Sequence, residues 1–201
     1  MKRAYTFIVV LVLLSTCINV SAQEIDSKLK EAEKAYQDNK LEDARFALQG
    51  ALTAINQAVG QEILLLLPEN IGEMPVDQSQ DHVTGLNGIA GVSVTRTYEK
   101  DTTMNARIDI LGDSPLLAGL NALLSMPVLA SSDPNQKKVK VGGYKGLLNR
   151  ENSEEGLAAW SLQVPINQTL VTLSVKGVSE EKKILEYAGL IPFEKIAALT
   201  N

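Results

Sequence analysis

The spacing of hydrophobic and polar positions changes several times along the chain. From Ile25 to Gln37 (IDSKLKEAEKAYQ) the sequence is charged and rich in helix formers, and Asp38-Asn39-Lys40 interrupts it. Leu41, Ala44, Leu48, Ala51, Leu52, Ile55 and Val59 then recur at helical spacing until Pro68 ends the run. Two helices joined by so short a break predict an antiparallel hairpin over residues 23–67. The stretch AEKAYQDNKLEDARFALQGAL resembles one tetratricopeptide unit, with Ala32, Tyr36 and Ala44 in place. No second copy follows, and a repeat array needs about three to bury its faces.

Residues 68–91 carry Gly72, Pro75, Gly85, Gly88 and Gly91 among polar positions, which predicts a flexible linker loop. From Val92 the period becomes two. Val92, Val94, Arg96 and Tyr98 alternate with Ser93, Thr95, Thr97 and Glu99, and Met104, Ala106, Ile108 and Ile110 continue the pattern beyond a turn. This predicts a β-hairpin. Further strands are expected at 137–142, 144–150, 157–164 and 169–175, followed by a helix that opens near Ser179.

Between these strand groups, DSPLLAGLNALLSMPVLASSDP runs from Asp113 to Pro134 without a charge inside its terminal acids. Ser114 before Pro115 predicts a helix start and Pro127 a stop. Leu116, Leu117, Leu120, Leu123 and Leu124 share one arc, which is expected to lie on the sheet. Ala118, Gly119, Asn121, Ala122 and Ser125 occupy the other side. An uncharged face of small residues is expected to be buried as well, against the N-terminal hairpin. A membrane-surface helix would need a basic polar face, which this one lacks.

The whole pattern predicts an α+β fold. A mostly antiparallel sheet of about six strands, with helices packed on one face, forms a body over residues 92–201 behind the helical hairpin.

Composition adds a destination. Lys2 and Arg3, the apolar run Phe7 to Leu14 and Val20-Ser21-Ala22 predict a signal peptide over residues 1–22, hence export to a periplasm or beyond. A lipoprotein box at Cys17 is the weaker alternative, because Thr16 fits poorly before the cysteine. Without Lys2 and Arg3 the formal charge moves from −5 to −7, which gives no footprint for nucleic acid. No transmembrane segment is expected in the mature chain.

Catalytic chemistry finds little to stand on. His82 is the one histidine, in a polar stretch with only Asp81 beside it. No Gly-x-Ser-x-Gly elbow, phosphate loop or metal-ligand spacing is present, so no catalytic residue, cofactor or metal is assigned. Binding residues are easier to name. Arg96, Tyr98 and Arg107 are expected on one sheet face, and Lys138, Lys140 and Lys145 form a basic group on later strands. Lysines on strands protect an edge from pairing or meet an anionic partner.

Tyr98-Glu99-Lys100, Asp113-Ser114-Pro115-Leu116-Leu117 and Gly143-Tyr144-Lys145-Gly146-Leu147-Leu148 resemble a group of uncharacterised secreted bacterial proteins. In layout the body is similar to PsbP-like domains. The resemblance to the secreted group implies an envelope location and carries no activity over, and the likeness to PsbP-like domains, which are non-enzymatic binding modules, is one of layout alone. The leading expectation is a non-enzymatic envelope protein that binds another protein or assembly. Carriage of a small apolar or lipidic molecule between sheet and helices is the alternative, with an anionic partner a third class for the lysines.

Overall fold

The computed structural model describes residues 22–85, 91–126, 135–152 and 156–200. The expected signal segment therefore lies outside the described residues, apart from residue 22. The chain divides into two compact units, one reaching to Ala58 and the other running from Val59.

The first unit is the helical hairpin. Helix α1 covers residues 22–37 and α2 covers Leu41–Leu66, continuing past Ala58 into the second unit. The break works as the sequence suggested. Asn39 adopts a left-handed conformation (φ 58°), and the amide of Lys40 donates to the Ala35 carbonyl at 2.8 Å. Asparagine tolerates that geometry at a helix end better than most side chains. The hairpin packs through alanine: Ala32 and Ala35 of α1 and Ala44, Ala47, Ala51 and Ala54 of α2 are buried. Residues this small bring two helices close together but bury little apolar area.

The second unit is an α+β body around one curled antiparallel sheet of eight strands, in the order β1-β2-β3-β4-β8-β7-β6-β5. The strands are β1 Asn70–Ile71, β2 Met74–Gly85, β3 Val92–Asp101, β4 Met104–Gly112, β5 Gln136–Val141, β6 Tyr144–Asn152, β7 Ala158–Ile166 and β8 Thr169–Lys176. The expected count of about six is corrected by β1 and β2. Both lie in the stretch read as a linker. Their period is broken by Pro75 and by a bulge: Asp77 pairs with Thr97 but His82 with Thr95, so Gln78 to Asp81 stand opposite Arg96 alone.

The helices also differ from expectation, for they cover both faces of the sheet. On one face Ile63 and Leu67 at the end of α2, Ile184 of α4 (Glu181–Ala188) and Phe193 and Ile196 of α5 (Phe193–Leu199) join Ile108, Leu162 and Leu173 in the main core. Gly60 lets α2 approach closely, since a Cβ there would stand 2.4 Å from Val83 Cγ1. On the other face lies α3, Leu117–Ser125, where Leu120 and Leu124 pack with Leu147 and Leu170. Leu147 and Leu170 neighbour the inward-facing Leu148 and Val171, so alternation turns them the opposite way.

Candidate functional site

The residues expected to bind a partner take three different roles. Arg96 and Tyr98 point inward with Val92 and Val94. Arg96 Nε donates to Asp81 Oδ1 at 3.0 Å, Nη2 to Oδ2 at 2.7 Å and Nη1 to the Leu67 carbonyl at 3.3 Å. The Tyr98 hydroxyl donates to the Pro68 carbonyl at 2.9 Å. Both side chains thus hold the backbone just after the C-terminal end of α2, whose carbonyls have left the helical ladder. The hydrogen bond to Asp81 raises the Arg96 pKa, and burial pushes the Tyr98 phenol well above its usual value. The expectation that these two face a partner is corrected: they are internal struts.

Arg107 does not join them. The register sets Thr97, not Arg96, opposite Arg107, which places its side chain on the other face. There its Nε donates to Asp109 Oδ1 and Oδ2 at 2.9 and 2.8 Å, while Thr95 Oγ1 donates to the same carboxylate at 2.7 Å. The half-exposed neighbours Thr97, Thr172, Ser174, Ser161 and Gln163 extend this polar surface across the sheet. Antiparallel sheets commonly present such a face to water where no helix lies over it.

The lysines separate as well. Lys138 Nζ donates to the carbonyls of Leu124 (3.4 Å) and Met126, which caps the C-terminal end of α3. Lys140 and Lys145 are exposed and directly opposite each other on the β5–β6 hairpin at the sheet edge. Lys137, which precedes them, pairs with Glu181 at 2.7 Å. His82 is exposed, with its Nε2 2.8 Å from Thr84 Oγ1. Among the described residues no group of three or more His, Cys, Asp or Glu is arranged to hold a metal.

The small-residue side of α3 is solvent-exposed at Ala118, Gly119, Asn121, Ala122 and Ser125. Its expected burial is thus corrected, and Leu116 and Leu123 are exposed too.

The most distinctive surface lies on α2. Leu41, Leu48, Leu52 and Ile55 are 60, 53, 50 and 40% exposed along one stripe, and no charged residue occurs from Phe46 to Gln61. Tyr36 and Phe46 of the same hairpin are also exposed. The periodicity displays this stripe merged with the alanine face. The two separate physically: the alanines meet α1, and the large side chains stay in water. A contiguous apolar strip of this kind marks a contact site more often than isolated exposed leucines do.

Compared with known proteins, the chain matches no family model, no curated protein and no solved structure. Among the described residues, no helix is long and apolar enough to cross a membrane.

Proposed function

We propose that the chain is an exported, non-enzymatic binding module of the bacterial envelope that docks a protein through the exposed face of α2. The observation that carries this reading is the stripe Leu41-Leu48-Leu52-Ile55, four large aliphatic side chains at helical spacing in water. Its chemistry suits another apolar helix face. Burying Leu48, Leu52 and Ile55 against such a face removes hydrocarbon from water without stranding a charge, since the nearest one on the stripe is the exposed Arg45 a turn away. From Leu48 to Ile55 a phosphate or metal would find no charged group to fix it. Export rests on the leader-like residues 1–22 and the envelope location on the likeness to secreted bacterial proteins.

Small-molecule carriage is the competing outcome. Its expected location, between the sheet and the helices, is filled by Ile108, Leu162, Leu173, Ile184 and Ile196, each almost fully buried.

Native mass spectrometry of the protein released gently from its own envelope separates the two. Binding-module function predicts a complex with a protein mass, a second copy included, that is lost in Leu48→Glu and Leu52→Glu. A bare monomer contradicts the reading, as does a small-molecule adduct indifferent to those substitutions.

A further inference from the structure

Strand β5 ends the sheet on one side, and among the described residues no strand lies beyond it. The Arg150 amide donates to the Asn135 carbonyl at 2.9 Å, so these two residues form a hydrogen-bonded pair just before the β5–β6 ladder. Alternation from that pair turns the backbone N–H and C=O groups of Lys137, Val139 and Val141 toward β6. Those of Gln136, Lys138 and Lys140 point away from the sheet, along its open edge. The side chains alternate as well. Lys138 lies on the face that carries α3, whose last carbonyls it caps, and Lys140 shares that face two residues on. Val139 and Val141 turn to the main core.

Lys145 of β6 stands directly opposite Lys140, in a non-hydrogen-bonded pair, the kind in which facing side chains come closer together. Both are exposed, and neither has an ion-pair partner among the described residues. Like charges placed so oppose the fold. Protection of the edge does not account for the pair. Strand β5 already carries Lys137, Lys138 and Lys140, and Lys145 sits one strand in from the edge, where it guards nothing. In a chain of formal charge −5 this is a local reversal of sign.

We infer that β5 accepts an acidic, extended segment of another protein as an additional strand, with its carboxylates on Lys140 and Lys145. This site lies wholly within the second unit and does not rest on the α2 stripe. The outward backbone groups of Gln136, Lys138 and Lys140 supply the ladder, which gives affinity without regard to sequence. The side chains supply the choice. Incoming residues beside Lys140 meet ammonium groups, and those beside Val139 and Val141 meet the apolar margin of the core, so the fitting segment alternates acidic with apolar. A second copy of β5 is a poor occupant, because it brings its own lysines against these. A phosphate ion or a lipid headgroup would engage the ammonium groups alone and leave the backbone edge unused.

The test uses the full chain and a labelled peptide of alternating Glu and Val, with binding read by fluorescence anisotropy and backbone amide exchange by NMR. The peptide is expected to bind and to slow exchange at the amides of Lys138 and Lys140. Those of Val139 and Val141, already bonded to β6, should change little. Lys140→Glu/Lys145→Glu is expected to weaken binding by about tenfold or more and to bind a peptide of alternating Lys and Val instead. Both positions are exposed, so circular dichroism should report an unchanged fold. Absence of binding overturns the inference, as does binding indifferent to the double reversal. Binding that leaves exchange at Lys138 and Lys140 unchanged, or that inorganic phosphate displaces at equal concentration, is capture of an anion by the ammonium groups alone and overturns it too. Each of these outcomes leaves the reading of the α2 stripe untouched.

Discussion

Arg96 and Asp81 meet as a two-point ion pair inside the fold, with both side chains nearly out of water. The bulge in β2 exists at the one place where a carboxylate must turn inward to meet a buried guanidinium. A buried pair of this kind adds little over two apolar residues, but losing one partner strands the other charge. Asp81→Ala is therefore expected to cost about 3–5 kcal/mol in urea unfolding, and Arg96→Leu/Asp81→Leu to recover most of it. Equal stability of Asp81→Ala and wild type would remove this role.

Tyr98 gives the fold an alkaline limit. Burial raises its phenol pKa, so the folded state holds the proton after the unfolded chain, titrating near 10, has lost it. The unfolded state then binds fewer protons, and stability falls as pH rises above about 10. Tyr98→Phe loses the bond to Pro68, at about 1 kcal/mol near neutrality, but should show a shallower alkaline fall. Identical slopes of unfolding free energy against pH in the two proteins would contradict the assignment.

Gly177 is constrained twice. Its φ is +83°, and a Cβ would stand 2.1 Å from the Thr103 carbonyl oxygen. The left-handed backbone alone makes Gly177→Ala cost about 1–3 kcal/mol, and the steric clash adds to that. Gly143→Ala shares the positive φ (+85°) with open space around it and is the control. Thermal unfolding should place Gly177→Ala clearly below Gly143→Ala.

The two sides of α3 should respond oppositely. Leu120→Ala opens the small cluster with Leu124, Leu147 and Leu170 and is expected to cost about 2 kcal/mol or more. Ala122→Arg lies on the exposed side and should stay within about 0.5 kcal/mol of wild type. Strong destabilisation by Ala122→Arg would show that this side is covered after all.

Much of this architecture is legible in the sequence, because period and break residues act locally. The hairpin follows from its helical stripe and the Asn39 stop, and the strands β3 to β8 from alternation and turn residues. β1 and β2 escape because Pro75 and a four-residue bulge destroy the period that identifies a strand. The face of Arg96 and Tyr98 was readable, since both alternate in phase with Val92 and Val94. Their residue type suggested a binding role that their parity denied. The difference at α3 is of another kind, for there absence of charge is equated with burial. Uncharged faces are cheap to bury, but nothing in a sequence says that they have been. Exposure, a property of the folded chain, distinguishes the alanine side of α2 from its leucine side.

The central claim is that Leu52 and its neighbours on α2 meet a protein. The most direct measurement places a photo-activated cross-linking residue at Leu52, with a control at the exposed turn residue Thr102, in protein expressed in its own host cell. The account predicts a covalent protein adduct at Leu52 and none at Thr102, with the adduct mass equal to two chains if the partner is a second copy. No adduct at Leu52, or the same adducts at both positions, would contradict it.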